Sequence, residues 1–313
     1  MSGDHGAASA ELPPPITAEV AEGVFAYVQP DGSWWINNTG FVVGDRDVCA
    51  VDASSTEART RAFRRSIAER TPLPVRTLIN THHHGDHTNG NCLFGGATIV
   101  GHTNCRDNMA GQRVGGLDAV FGPVAWGELT VVPPAVTFDD ALVVHAGDLR
   151  LEVLYAGTPA HTTGDAVVWV PERRVLFAGD LLFNGGTPFV LMGSVAGSLA
   201  ALDRLRSLPV ATVVPGHGPV AGPELIDAVE GYLRWLQGLA AEARAAGLSP
   251  LDAARQADLG EWAGLLDPER IVGNLYRAYS ELDGAPLGAP VDVMAAFTDM
   301  IAFNGGRPLR CLA

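Results

Sequence analysis

Short apolar runs recur between residues 20 and 220, and each is bounded by glycine, asparagine or aspartate. Runs of this length that are rich in valine, isoleucine and aromatic residues predict β-strands. The predicted strands are Val24–Gln29, Trp35–Val43, Val48–Asp52, Val75–Ile79, Leu149–Tyr155, Ala166–Val170, Arg174–Phe177 and Ala211–Val214. Two intervening segments have apolar positions at helical spacing instead, and they predict helices at Thr56–Glu69 and Ser198–Leu208.

The pattern changes after Pro223, where strand character disappears. Four amphipathic or alanine-rich stretches, separated by glycine and proline, predict helices there. They are Leu225–Ala246, Leu251–Leu259, Pro268–Leu282 and Val291–Ala302. Strands mixed with helices, followed by an all-helical segment, indicate an α/β fold of packed layers with a helical C-terminal extension.

The same pattern divides the chain into three segments. Residues 1–18 are rich in proline and alanine and predict a flexible N-terminal tail. Residues 19–222 contain the strands and form the predicted main domain, and residues 223–313 form a helical extension packed on the same domain. A chain of 313 residues is long enough to bury a full core.

Composition and charge narrow the range of partners. Hydrophobic residues make up 47% of the chain and charged residues 18%, which is typical of a folded globular protein. The formal net charge of −14 repels phosphate backbones and anionic lipids, so we expect neither nucleic acid nor a membrane as the main partner.

The termini and the cysteines suggest a compartment. The first 19 residues contain no basic segment followed by an apolar run, so they do not resemble a secretory signal. No stretch approaches the roughly 18 consecutive apolar residues of a membrane helix. The four cysteines are scattered without CxxC spacing, which is typical of free thiols in a reducing compartment. We therefore expect a cytoplasmic protein.

A cluster of histidines follows the predicted strand Val75–Ile79. The segment 80–87 reads NTHHHGDH and contains four candidate metal ligands within six residues, namely His82, His84, Asp86 and His87. His82 and His84 share a face at the end of the strand, and a turn at the following glycine brings the other two to a neighbouring point. Imidazole and carboxylate groups suit zinc, iron or manganese.

Three further candidate ligands stand just beyond other predicted strands. They are His161, Asp180 and His217, and each has glycine nearby, which permits tight turns and close approach. A single histidine beside a strand is more often a hydrogen-bonded structural residue than a ligand. The repeated placement at strand ends therefore argues for a metal site more strongly than any one residue does.

The remaining histidines lack this context. His83 lies between two candidate ligands and should face away from them, and His5, His102 and His145 are expected to be ordinary residues. Asp165 is expected to support His161 or its loop and not to bind metal.

The set of seven candidate ligands, in this order along the chain, resembles the metallo-β-lactamase superfamily over roughly residues 20–220. The resemblance implies an αββα four-layer sandwich with two metals at one edge between the sheets, and residues 19–222 would be the catalytic domain. It also implies that His82, His84 and His161 hold one metal, that Asp86, His87 and His217 hold the other, and that Asp180 bridges both.

The aspartate at position 180 is informative, because many antibiotic-hydrolysing members have cysteine there. An aspartate bridge resembles glyoxalase II, lactonase and phosphodiesterase-type members, so we do not expect a true β-lactamase. Two zinc ions would supply a bridging hydroxide at neutral pH that attacks an acyl carbonyl. Asp86 would be the catalytic residue that orients this nucleophile, and iron or manganese are the alternative metals.

The candidate substrate residues are apolar side chains near the predicted metal edge. They are Trp34, Trp35, Phe183, Phe189 and Met192. Phe121 and Trp126, in a glycine-rich insertion, are further candidates. Aromatic rings beside a metal site can stack on a flat, apolar substrate, although packing in the core is an equal alternative for each of them.

Three functions stay open at this point. The long helical extension and overall layout resemble the second-ring cyclase/thioesterase of aromatic polyketide pathways, which would couple hydrolysis of an acyl thioester to aldol cyclisation. A general lactonase or esterase of the same fold is the alternative. An iron-bound, non-hydrolytic oxidoreductase or a non-catalytic binding module is the third. The expected partner is a small-molecule or carrier-protein-bound acyl substrate, and the sequence leaves the oligomeric state open.

Overall fold

The fold contains two β-sheets, and the computed structural model describes residues 12–313. The first sheet has seven strands in sequential order. They are β1 (Ile16–Ala21), β2 (Val24–Val28), β3 (Thr39–Val43), β4 (Val48–Val51), β5 (Val75–Ile79), β6 (Thr98–His102) and β7 (Val136–Phe138). Strands β1 to β4 pair antiparallel, and β4 to β7 pair parallel.

The second sheet has five strands in the order β12-β11-β10-β9-β8. They are β8 (Ala141–Ala146), β9 (Leu149–Tyr155), β10 (Ala166–Val170), β11 (Val175–Phe183) and β12 (Thr212–His217). Every residue of β10 and β11 is buried, as expected for central strands that are covered on both faces.

The helices cover the outer faces of the two sheets. They are α1 (Glu57–Arg70), α2 (Gly85–Thr88), α3 (Thr103–Met109), α4 (Asp118–Phe121), α5 (Val195–Arg206), α6 (Glu224–Ala245), α7 (Pro250–Gln256), α8 (Arg270–Leu282) and α9 (Val293–Phe303). Short 3-10 turns occupy Asn89–Leu93 and Gly260–Gly264. No helix within residues 12–313 combines the length and apolarity that crossing a membrane requires.

Three apolar clusters show the order of the layers. Phe63 of α1 packs against Phe41 and Leu78 of the first sheet. Valines and other apolar residues from both sheets share a second cluster between the sheets. The third cluster joins the outer face of the second sheet to α5, α6 and α8, and it includes Leu182 and Leu275. The order is therefore helix, sheet, sheet, helix, so the predicted αββα sandwich and its C-terminal helices are confirmed.

Several predicted boundaries were wrong. Strand β1 begins at Ile16, inside the predicted tail, and residues 1–11 of that tail lie outside the described residues. The strand predicted from Trp35 begins only at Thr39. The backbone of Trp35 has a φ of 67°, which is incompatible with a β-strand, and its ring packs against Trp126. Helix α5 begins at Val195, where the Ser194 side chain accepts a hydrogen bond from the Gly197 amide.

Candidate metal centre

The fold brings all seven predicted metal ligands together at one edge of the sandwich. Their potential ligand atoms form two groups, and the atoms in each group lie within 4.8 Å of one another. The first group is His82, His84, His161 and Asp180, and the second is Asp86, His87, Asp180 and His217. Asp180 belongs to both groups.

Both sheets contribute to the centre. The first sheet supplies the segment after β5, whose turn into α2 presents His82 and Asp86. The second sheet supplies Asp180 from β11 and His217 from the end of β12. Asp180 was predicted to follow its strand, but β11 continues to Phe183, so this carboxylate lies within the strand at a point where the pairing register shifts.

The Asp180 carboxylate lies between the two groups. Its Oδ1 is 3.1 Å from the Nε2 of His87, and its Oδ2 is 3.3 Å from the Nε2 of His161 and 3.4 Å from the Nε2 of His217. The Nε2 of His217 also lies 3.2 Å from the Oδ2 of Asp86. These distances put the Asp180 carboxylate between the two groups, and the bridging role that the resemblance implies for it stays a prediction.

Four of the five imidazoles are oriented by an acceptor behind them. The Nδ1 of His161 contacts the Phe189 carbonyl at 2.5 Å, and the Nδ1 of His217 contacts the Gly32 carbonyl at 3.1 Å. A carbonyl oxygen only accepts, so each Nδ1 carries a proton, and each Nε2 faces the centre and can present a lone pair there when the ring is neutral. This orientation by a neighbouring acceptor is typical of metal-binding histidines.

Asp52 orients the other two of these imidazoles and was missed in the sequence. Its Oδ2 accepts from the Nδ1 of His87 at 2.8 Å and from the Thr81 hydroxyl at 2.7 Å. Because that hydroxyl proton is used, the Thr81 oxygen accepts from the Nδ1 of His82 at 3.1 Å. Burial raises the pKa of Asp52, although His87 opposes the shift. The only sequence signal was a polar residue at the end of an apolar run.

The electrostatics of the two groups differ in the metal-free protein. Burial, with smaller effects from neighbouring imidazoles, lowers the pKa of His82 and His84 well below the usual value. Burial also acts on His217, but Asp180 and Asp86 outweigh it and raise its pKa to about 9. The pKa of His87 is raised well above its usual value for the same reason, by Asp180 and Asp52. The carboxylate-rich group therefore attracts positive charge.

A further observation indicates that these ligand atoms could hold metal ions. Within the described part of the chain, the Nε2 of His82 is buried without a hydrogen-bond partner, and the buried Nε2 of His87 and Oδ1 of Asp180 lie 3.1 Å apart without forming a well-aligned hydrogen bond. Buried polar atoms normally have partners, because leaving one unpaired costs about 1–3 kcal/mol. The Nδ1 of His84 faces the Nε2 of His161 at 2.8 Å. All these atoms point at the same small volume, as metal ligands do.

Glycine is required beside the shared carboxylate. A Cβ on Gly216 would lie 1.9 Å from the Oδ1 of Asp180, so any larger residue would displace the carboxylate. On the other strand, Gly179 has a φ of 50° and its Cβ would lie 2.8 Å from the Thr81 side chain. The glycines noted near the ligands in the sequence thus permit close approach of β11, β12 and the histidine turn.

The other polar predictions have mixed outcomes. His83 is in neither ligand group, but it lines the cleft above the centre, and burial lowers its pKa to about 4. Asp165 bonds to the Thr162 amide and hydroxyl, so it supports the loop and not the His161 ring. His102 bonds to the Asp139 carbonyl away from the centre. His145 is exposed on β8, and His5 lies outside the described residues.

A cleft of about 340 Å³ opens onto the centre. The five predicted substrate residues all line it, as do Asp86 and Phe121. Trp126 instead lies behind Trp35, with ring centroids 4.7 Å apart. The C-terminal helices contribute a wall that sequence reasoning did not assign, formed by Arg270, Val293, Met294 and Phe297. The cleft is therefore largely apolar and aromatic, and its polar lining includes candidate metal ligands together with Gln112, Arg113 and Arg270.

Two sheets packed face to face, with two ligand groups that share one carboxylate at their common edge, define a fold of the metal-dependent hydrolase type. The chain belongs to the metallo-beta-lactamase superfamily, which it matches over residues 32–217. A solved metallo-beta-lactamase from Pontibacter korlensis has a TM-score of 0.59 at 19% identity and covers 71% of this chain and 99% of its own. At that identity the likeness shows the fold alone.

Curated relatives are similar over part of the chain. A hydroxyacylglutathione hydrolase of Methylococcus capsulatus is 31% identical over 140 residues, which are 44% of this chain and 45% of the relative. A type 2 metallo-beta-lactamase of Bacteroides fragilis is 27% identical over 221 residues, which are 67% of this chain and 81% of the relative. The chain thus spans about half the length of the first of these. Their names agree with the predicted enzyme class, a hydrolase.

Proposed function

We propose that this protein is a hydrolase of carboxylic esters and lactones that uses two metal ions held by the seven ligands described above. The observation that carries the proposal is the shared position of Asp180, whose two oxygens face imidazoles of both groups at 3.1–3.4 Å. Zinc suits nitrogen and oxygen ligands of this kind, and iron and manganese are the alternatives that metal analysis would separate.

Bound metal ions in such a site lower the pKa of a coordinated water and polarise a substrate carbonyl. The residues of the chain do the rest. Asp180 and Asp86 neutralise cationic charge, and the hydrogen bonds behind His161 and His217 keep both rings turned toward the centre. Asp86 also lines the cleft, where its carboxylate can orient a nucleophile. The aromatic walls exclude bulk water and hold an apolar acyl group.

The names of the relatives bear on which of the predicted substrate classes is favoured. Their names include hydroxyacylglutathione hydrolases and no polyketide cyclase among those compared, so the cyclase/thioesterase interpretation receives no support. The general lactonase or esterase fits better. An apolar cleft of about 340 Å³ has room for a small acyl group. The partner we propose is therefore a small-molecule ester.

The test is a substrate panel with the zinc-loaded protein. The panel contains a phenyl ester, a γ-lactone, an acyl-glutathione, a cephalosporin and a phosphodiester. We expect turnover of the ester and the lactone that is lost on chelation and restored by zinc. Cleavage of the phosphodiester alone would refute the substrate class. Stoichiometric iron with redox turnover would refute hydrolysis itself.

A further inference from the structure

Helix α8 contains three polar side chains that are fully buried. They are Arg270, Asn274 and Arg277, with exposed fractions of 1%, 0% and 1%. Their spacing of four and three residues places them on one face of the helix. Burying an arginine is unfavourable unless its donors are paired, so partners for these groups should be sought. We call these three residues the α8 clamp.

All three residues of the α8 clamp bind one short segment, Thr187–Leu191. Each also has a partner elsewhere, namely Asp267 for Arg270, Tyr232 for Asn274 and Ala289 for Arg277. Arg270 donates to the Thr187 carbonyl at 3.0 Å, and Arg277 donates twice to the Leu191 carbonyl, at 3.1 and 2.9 Å. Asn274 binds the middle of the segment. Its amide nitrogen donates to the Pro188 carbonyl at 2.8 Å and its oxygen accepts from the Val190 amide at 2.9 Å.

The segment Thr187–Leu191 follows β11 and has no regular secondary structure at residues 187–190. Buried backbone groups there cannot pair within a strand or helix, so they need other partners. The α8 clamp binds three carbonyls and one amide of the segment, whereas the Thr187 amide donates to the Leu266 carbonyl and the Val190 carbonyl accepts from the Gly193 amide. Most of the carbonyls in this segment are therefore held by a helix of the C-terminal extension, which lies outside the family match of residues 32–217.

One carbonyl of this segment reaches the metal centre. The Phe189 carbonyl accepts the Nδ1 proton of His161, and this leaves the Nε2 of His161 facing the centre, 2.8 Å from the Nδ1 of His84 and 3.3 Å from the Oδ2 of Asp180. Phe189 lies between the two residues that Asn274 holds. A shift of the segment would therefore remove the acceptor that selects this tautomer of the ring.

We propose that the α8 clamp positions His161 for metal binding by holding the Phe189 carbonyl behind its ring. The inference rests on the proposed function in one respect, namely that His161 is a ligand of the first group. The clamp residues do not touch the reacting atoms through this path. They are positioning residues, and their contribution is to the affinity of the first group for its ion.

Asn274 is the best site for the test, because Arg270 also lines the cleft and contacts Trp34. Asn274→Leu keeps the branched shape and the number of side-chain heavy atoms, and it removes both bonds to the segment. We expect the affinity for one of the two ions to fall roughly 10- to 100-fold, the range found when acceptors behind metal-bound histidines are removed. Competition with a coloured chelator, together with metal analysis, measures this loss in the full chain.

A second measurement does not depend on metal or activity. Long-range 1H–15N correlation of the imidazoles in the metal-free protein should show His161 as the Nδ1-protonated tautomer in the wild type. In Asn274→Leu the Nδ1–H signal should weaken or mix with the other tautomer. Tyr232→Phe is the matched control, because it removes only the third partner of the Asn274 amide, 3.0 Å away. We expect it to leave both readouts unchanged.

The outcomes separate the inference from the proposed function. Wild-type affinity and an unchanged His161 tautomer in Asn274→Leu, with only a lower melting temperature, would show that the clamp is merely structural. If that variant does not fold, Arg277→Met removes the bonds to Leu191 and is judged by the same two readouts. If the wild-type protein binds no metal at all, the proposed function fails, and the tautomer still shows whether α8 orients His161.

Discussion

The two ligand groups share Asp180 and differ in almost every other respect. The first group adds three imidazoles to this carboxylate, whereas the second adds two imidazoles and a second carboxylate, Asp86. The pKa of His82 is lowered in the first group, while that of His217 is raised to about 9 in the second. One small centre therefore contains a site with a single carboxylate beside a site with two, and the two carboxylates raise the pKa of His217.

The difference extends to the groups behind the rings. In the second group, His87 is backed by the Asp52 carboxylate, whereas in the first group His161 is backed by a neutral carbonyl. An ionised acceptor strengthens the hydrogen bond and makes the imidazole a better donor to a metal. We expect the second group to hold its cation by charge and the first group to hold it by orientation. The predictions below test this contrast.

The largest effect is expected for the residue that both groups share. Asp180→Asn removes the charge while keeping the volume, and it should weaken both sites at once. Losing several kcal/mol of charge stabilisation corresponds to a fall in kcat/KM of roughly 10³-fold or more. Ester hydrolysis and metal content measure it, with the exposed Asp45→Asn as control. A variant with two bound ions and the wild-type rate would contradict the bridging role.

The next largest effect should separate the groups. His82→Ala removes a ligand of the first group and His217→Ala removes one of the second. Each variant should retain about one ion per chain, in the remaining group, and lose roughly 10²-fold or more in turnover. Metal analysis and native mass spectrometry count the ions. Loss of both ions in both variants would show that the groups do not bind independently.

The strand pattern explains which parts of this centre could be predicted from the sequence. The seven candidate ligands were found because they stand at or near the ends of apolar runs, and strands that pair in one sheet bring their ends together. The same runs indicated an α/β fold of packed layers, whereas the αββα order was implied by the resemblance to the superfamily. The exact ends of the strands were less predictable. The backbone conformation of Trp35 delays the start of β3, and the candidate ligand Asp180 lies inside β11 and not after it.

The groups behind the ligands were not predicted, for two physical reasons. The acceptors for His161 and His217 are backbone carbonyls, and every residue type has one. Asp52 looked like an ordinary residue at a strand end. The arginines of α8 were given no role, because helical spacing shows which residues share a face but not what that face packs against.

An intermediate effect is expected for Asp52, which supports both groups. Asp52→Asn leaves a side chain of the same size but weakens the acceptor for His87 and for the Thr81 hydroxyl. We expect metal affinity to fall roughly 10- to 100-fold, and more in the second group, where the contact is direct. Stepwise metal titration measures the two affinities. Equal losses in both groups would mean that Thr81 transmits the change as effectively as the direct bond.

The smallest expected effect is a difference in the number of protons that the protein releases when it binds metal. His217 has a pKa of about 9 in the metal-free protein, so at pH 7 it is protonated and must lose that proton to coordinate a cation. His82 and His84, whose pKa values are lowered, are already neutral and release none. Titration calorimetry in buffers of different ionisation enthalpy should therefore detect proton release in His82→Ala, where the second group is intact.

The same titration in His217→Ala should show less release, because the two lowered imidazoles of the first group need no deprotonation. The pH dependence of this proton release provides a second check. Release in His82→Ala should decline as pH rises through about 9, where His217 loses its proton without metal. Equal release in the two variants at pH 7 would mean that the carboxylates of the second group do not charge their imidazoles, and the contrast between the groups would reduce to ligand count.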